Sequence, residues 1–161
     1  MAGLQVHTAE TAYAVTQAEI KAWCKIDSSD DDVTVALIER AVHNWAKEYT
    51  SRTLTTVTYN LFIDTVYESD IPIQEGFYVG YDGRSNKRSI DLPKSPVASV
   101  SHIKYYDDAD TATTFATSNY YLDTASIPAR IVLRKGSSYP TSLRVANGIE
   151  IRYVAGYGAT T

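Results

Sequence analysis

Apolar residues recur along this chain at two different periods, and the change comes near Thr55. Before it, Val33, Leu37, Ala41, Trp45 and Tyr49 fall every four residues, with Ile38 and Val42 widening the stripe. Glu39, Arg40, His43, Asn44, Lys47 and Glu48 take the other side. This pattern predicts an amphipathic helix of about six turns whose stripe packs inward. A shorter helix precedes it. Thr16 and Glu19 stand at the two positions of a capping box, flanked by Val15 and Ile20 at those of a hydrophobic staple. Ile20, Trp23 and Cys24 share one predicted face, which makes Cys24 a buried thiol. Asp30-Asp31-Asp32 provides caps and negative charge for the start of the long helix. Residues 15–53 therefore read as a helical hairpin, and residues 1–14, without a clear period, as an arm.

From Thr55 the period is two. Val57, Tyr59, Leu61 and Ile63 alternate with polar neighbours, as in a half-buried strand. Further strands are predicted at 89–92, 98–106, 113–115, 120–123, 130–133 and 149–155. Asp107-Asp108-Ala109-Asp110 forms a hairpin turn, and Pro93 and Pro96 bracket an extended corner at a strand edge. Residues 69–88 have no period, three glycines and the aromatics Phe77, Tyr78 and Tyr81. A loop of that length is a candidate functional segment. The fold class is α+β: a helical hairpin followed by an antiparallel β region over residues 55–158, within one domain of 161 residues.

Composition narrows the function. The net charge is −4 and no Lys/Arg cluster exists, which argues against holding nucleic acid by phosphate neutralisation. One cysteine excludes an internal disulfide. No apolar run approaches the length of a membrane-spanning helix, so the sequence predicts no membrane association and synthesis in the cytoplasm. Thirteen tyrosines, against three Phe and two Trp, suit both strands and half-wet subunit contacts.

Candidate chemistry is sparse. Tyr105-Tyr106-Asp107-Asp108 resembles the metal-binding hairpin of template-directed polymerases, but the chain has no room for that apparatus. Asp30-Asp31-Asp32 lacks the spacing of a calcium loop. His7, His43 and His102 are far apart in sequence, and no serine or cysteine sits in a nucleophile elbow. Gly80-x-x-Gly83 and Gly156-x-Gly158 read as turn glycines. No catalytic, cofactor-binding or metal-ligating residue is expected, and the chain does not read as an enzyme.

The order of landmarks carries more. Leu92-Pro93-x-x-Pro96-Val97-x-x-Val100, Ile103-Lys104-Tyr105-Tyr106-Asp107, Asn119-Tyr120-Tyr121-Leu122-Asp123, Pro128-Ala129-Arg130-Ile131-Val132-Leu133 and Ile149-x-Ile151-Arg152-Tyr153-Val154-Ala155-Gly156-Tyr157-Gly158 follow the helical pair. In this order they resemble the head–tail connector proteins (adaptor, or head-completion proteins) of tailed bacteriophages, over roughly Val15 to Gly158. The C-terminal helices with which that family usually ends do not follow here.

The resemblance implies a structural virion protein of the neck, between capsid and tail. It would be an adaptor ring, a homododecamer, joining the portal protein to a stopper or other tail-side protein around the channel through which DNA leaves. DNA would pass without sequence-specific binding. The alternatives are another ring-forming virion protein, such as a stopper or tail terminator, or a small non-catalytic interaction module; a third, weaker option is an enzyme. Aromatic residues and Arg are enriched in interface cores. On that ground Phe77, Tyr78, Tyr81, Arg84, Lys87, Arg88 and the terminal-turn Tyr157 are the expected contact residues.

Overall fold

A computed structural model describes residues 2–64 and 89–158. Two helices, α1 (Gln17–Cys24) and α2 (Asp32–Thr50), stand between a first strand and the remaining β structure. The strands are β1 (Ala2–Thr8), β2 (Val57–Ile63), β3 (Ser89–Leu92), β4 (Val97–Tyr106), β5 (Ala112–Thr114), β6 (Tyr120–Asp123), β7 (Ala129–Leu133) and β8 (Ile149–Ala155). They form a five-stranded sheet in the order β1-β2-β8-β4-β5 and a three-stranded sheet in the order β3-β7-β6. Every pairing is antiparallel. The fold class is therefore α+β, as the two periods predict.

The period-two residues build the core. On β2, Val57, Tyr59, Leu61 and Ile63 point the same way as Ile149, Ile151, Tyr153 and Ala155 of β8, their cross-strand partners. They join Ile90, Leu92, Ile131, Leu133 and Tyr120 of the smaller sheet in one buried cluster. Fully burying one such aliphatic side chain contributes about 1.5–3 kcal/mol. The corner between β3 and β4 links the sheets. Tyr153 donates its hydroxyl hydrogen to the Pro93 carbonyl (2.8 Å), and the Gly156 amide donates to the Pro96 carbonyl (2.8 Å). This is the extended proline corner of the sequence, placed between sheets rather than inside a ladder.

The start of α1 follows the sequence closely. The Glu19 amide donates to the Thr16 hydroxyl oxygen (3.3 Å), and the Thr16 amide donates back to the Glu19 carboxylate (2.8 Å). The two bonds complete the capping box. The bond from the Thr16 amide, with a second from the Thr16 hydroxyl to the same carboxylate (2.7 Å), holds the Glu19 carboxyl below its ordinary value. Thr16→Ala should weaken the first helix by about 1 kcal/mol. Amide exchange at Ala18 and Glu19, unchanged in the variant, would contradict that role.

Several expectations are corrected. Residues 1–14 are not simply an arm: Ala2–Thr8 pairs with β2 from Ala2↔Ile63 to Thr8↔Thr58, with a register shift near Val6. Two apolar residues, Leu4 and Val6, are too few to establish a period, and the strand forms because β2 offers an open edge. At the start of α2, Asp31 makes no side-chain capping bond. Asp32 instead binds the Lys21 ammonium at 2.5 Å, joining the two helices. Trp23 and Cys24 are exposed, so the thiol is not a core residue.

The largest correction concerns the face of α2. Its four-residue stripe does not pack inward; Val33, Leu37, Ile38, Val42, Trp45 and Tyr49 are all exposed. The buried side chains are Val35 and His43, and the latter was expected on the polar side. The link between β1 and α1 covers this other face. It carries Glu10, which accepts two hydrogen bonds from the Lys47 ammonium (2.6 and 2.8 Å), and Tyr13, whose ring lies 5.0 Å from the His43 ring.

Candidate interaction surface

Among the described residues no group of three His, Cys, Asp or Glu side chains could hold a metal ion, and no helix is long and apolar enough to cross a membrane. Three surfaces carry the unusual chemistry. The first is the exposed apolar surface of the helical pair, the stripe on α2 together with Trp23 on α1. Trp23 is 89% exposed, Val33 76%, Leu37 64%, Trp45 65% and Tyr49 77%. The Trp45 and Tyr49 rings stack at 5.1 Å, so the end of the stripe is a flat aromatic surface. An isolated exposed apolar residue needs no explanation, but the run of apolar side chains along one side of α2 is the kind of patch that marks an interaction site. The helix period in the sequence located this stripe and gave the wrong side for it.

Beneath α2, His43 anchors the opposite face. The Ala14 amide donates to Nδ1 of His43 at 3.2 Å, so the neutral ring carries its hydrogen on Nε2. Nε2 is buried without a hydrogen-bond partner and lies 3.7 Å from the Glu10 carboxylate. Burial lowers the pKa of His43 from its ordinary value of 6.5, Glu10 and Glu39 push it up, and Lys47 adds to the lowering. The unfolded chain thus binds the proton more readily. Stability from this contact is complete above about pH 6.5 and is lost as pH falls through the lowered native value. Wild-type stability should fall on acidification from neutral pH to about pH 5, and His43→Asn should flatten that part of the profile. An identical slope in both proteins would contradict the assignment.

The second surface is the reverse of the five-stranded sheet. Glu150 lies on it between Ile149 and Ile151 and is itself buried. It accepts hydrogen bonds from the Tyr106 hydroxyl (2.7 Å) and the Arg152 guanidinium (3.3 Å), and lies 3.4 Å from His102 Nε2. Arg152 also donates to the Asn60 side-chain oxygen (2.8 Å). Burial raises the Glu150 pKa, but the bonds from Tyr106 and His102 and the charge of Arg152 outweigh it and hold the carboxyl below its ordinary value. The bond to Glu150 in turn raises the Tyr106 phenol. Each polar group has a partner across the strands, so this is a satisfied network that fixes the strand register. Sequence reasoning missed it; the signal was a Glu and an Arg alternating with Ile149 and Ile151.

The third surface is the terminal turn. Tyr157, an expected contact residue, is exposed and accepts a hydrogen bond from the Arg52 guanidinium. The other six, Phe77, Tyr78, Tyr81, Arg84, Lys87 and Arg88, lie outside the described residues. The Asp107 turn is a local structure: its carboxylate accepts from the Ala109 and Thr111 amides (2.9 and 2.8 Å). These bonds, led by that from Thr111, lower its pKa.

No protein-family model matches the chain, and no curated protein matches it. Solved structures do. A chain in the neck of an empty gene transfer agent particle, computed with C6 symmetry, superposes with a TM-score of 0.70 at 19% identity. The match covers 98% of this chain and 73% of that one. A chain of the native gene transfer agent virion gives 0.68 at 20% identity, with the same coverage. A third, from the native neck computed with C12 symmetry, gives 0.61 at 16%, covering 97% and 71%. This chain shares its fold with proteins of phage-like necks.

Proposed function

We propose that this chain is a structural neck protein, an adaptor subunit that forms a ring between the portal and the tail of a phage-like particle. The observation that carries the reading is a fold shared along 97–98% of the chain with neck and virion chains, two of them in neck structures of C6 and C12 symmetry. The helical pair supports an adaptor rather than a stopper or tail terminator. The exposed apolar face of that pair supports a protein completed by assembly.

A dodecamer of chains at −4 each would carry a net negative charge, past which the duplex slides without being held. The role requires no catalysis. Contacts to the portal and to a tail-side protein would draw on Tyr157 and on the aromatic and basic residues Phe77, Tyr78, Tyr81, Arg84, Lys87 and Arg88.

Removing the protein from a producing particle should leave filled heads beside unattached tails. Normal tail attachment in its absence would contradict the adaptor role. Deleting residues 76–86 should leave the chain folded and impair docking of the ring. Particles completed at the normal level would remove that segment from the contact set.

A further inference from the structure

We infer that the helical pairs of neighbouring copies pack head to tail, with Trp23 of one copy seated on the α2 stripe of the next. The inference rests on the ring reading above for its closure, and on the geometry of the two helices for its faces.

The two apolar surfaces look in different directions. Gln17 and Lys21 of α1 both reach Asp32, Gln17 through the backbone carbonyl (2.7 Å) and Lys21 through the carboxylate. Asp32 is on the same side of α2 as the buried Val35 and His43. Trp23, two positions beyond Lys21, lies about 200° further round α1 and points away from α2. The stripe of Leu37, Ala41, Trp45 and Tyr49 lies on the side of α2 away from Val35 and His43. One copy therefore carries two unlike apolar surfaces facing outward, which is the arrangement that a heterologous contact uses and a twofold contact does not.

The shapes fit as well. Ala41 is the smallest member of the stripe, and its neighbours three and four positions away, Leu37, Ile38, Asn44 and Trp45, surround it. On a helix surface such a position is a hole framed by four larger side chains, the receptor for one large knob. Trp23, at 89% exposure, is the largest and most exposed apolar side chain of the pair. Taking roughly 150–250 Å² for an aromatic side chain, the three aromatics and four aliphatics together expose roughly 800 Å² of apolar surface. That is about half the area buried in total by a standard stable interface. The other exposed large apolar side chains among the described residues, Val6, Val15, Tyr121, Ile127, Val145 and Tyr157, come from separate parts of the chain.

Two charge substitutions at exposed positions separate the faces. Trp23→Glu removes the knob and leaves the stripe; Ala41→Glu fills the hole and leaves Trp23. Each variant alone, checked for native helix content by circular dichroism, should lose self-association in sedimentation by at least about 30-fold, as for an interface hot spot. Mixed in equal amounts they should form a one-to-one heterodimer and nothing larger, because one intact knob and one intact hole remain between them. The inference is overturned if Trp23→Glu associates like the wild type, if the mixture stays monomeric, or if the wild-type chain is monomeric at every concentration. Failure of the neck role reads differently: the variants would still complement in solution while the protein is absent from particle necks.

Discussion

Tyr153→Ala should destabilise the chain by about 3–5 kcal/mol, while Trp45→Ala, an equally drastic truncation, should cost the unassembled chain less than about 1 kcal/mol. Tyr153 is fully buried on β8, the strand between β2 and β4. Its ring lies 5.7 Å from that of Tyr59, and its hydroxyl satisfies the Pro93 carbonyl at the corner between the sheets. Burial, with a smaller push from Tyr59, holds its phenol well above the ordinary value, so the hydroxyl keeps its hydrogen at neutral pH. Truncation leaves a cavity against β2 and an unpaired carbonyl together. Trp45 has no such role, being 65% exposed. Equal losses in urea melts of the two variants would show that the α2 stripe is core, and would remove the surface on which assembly is argued.

Gly156→Ala should cost about 2–6 kcal/mol, combining roughly 1–3 kcal/mol for backbone strain with 1–3 for overlap. Gly156 has φ of +120°, and an added Cβ would stand 2.2 Å from the Thr55 carbonyl oxygen. That carbonyl is backbone and cannot swing aside. The turn also ties three segments together, since the Gly156 amide bonds to Pro96 and the Tyr157 amide to the Leu54 carbonyl (3.2 Å). Gly158 has nearly the same φ, +121°, but open space around it. Gly158→Ala should therefore carry the strain without the overlap, and the difference between the two midpoints measures the close approach at Thr55.

The strands, the Asp107 turn and the capping box were legible because each is a local pattern with a local cause. Alternation along β2 and β8 selects one face, and Thr16 and Glu19 satisfy each other within one turn. Helix α2 was legible as a helix and not in its orientation. A hydrophobic stripe says that a face is shielded from water in the working state, and says nothing about whether the cover comes from the same chain. Here the cover on the other face is a polar link, Glu10 to Ala14, which pairs with Lys47 and His43 across about thirty residues of sequence. No period reveals such a contact. Strand β1 was hidden for a related reason, since its partner edge on β2 lies fifty or more residues away. The Glu150 network spans β2, β4 and β8 and exists only once the register is set.

A reconstruction of the particle neck, resolved to side chains and sorted by protein, tests the central claim most directly. The account predicts density for this chain as a closed ring between portal and tail, one copy per symmetry position, with its α2 stripe covered. Density for the chain in the tail tube or the capsid shell, or a complete neck without it, would contradict the account.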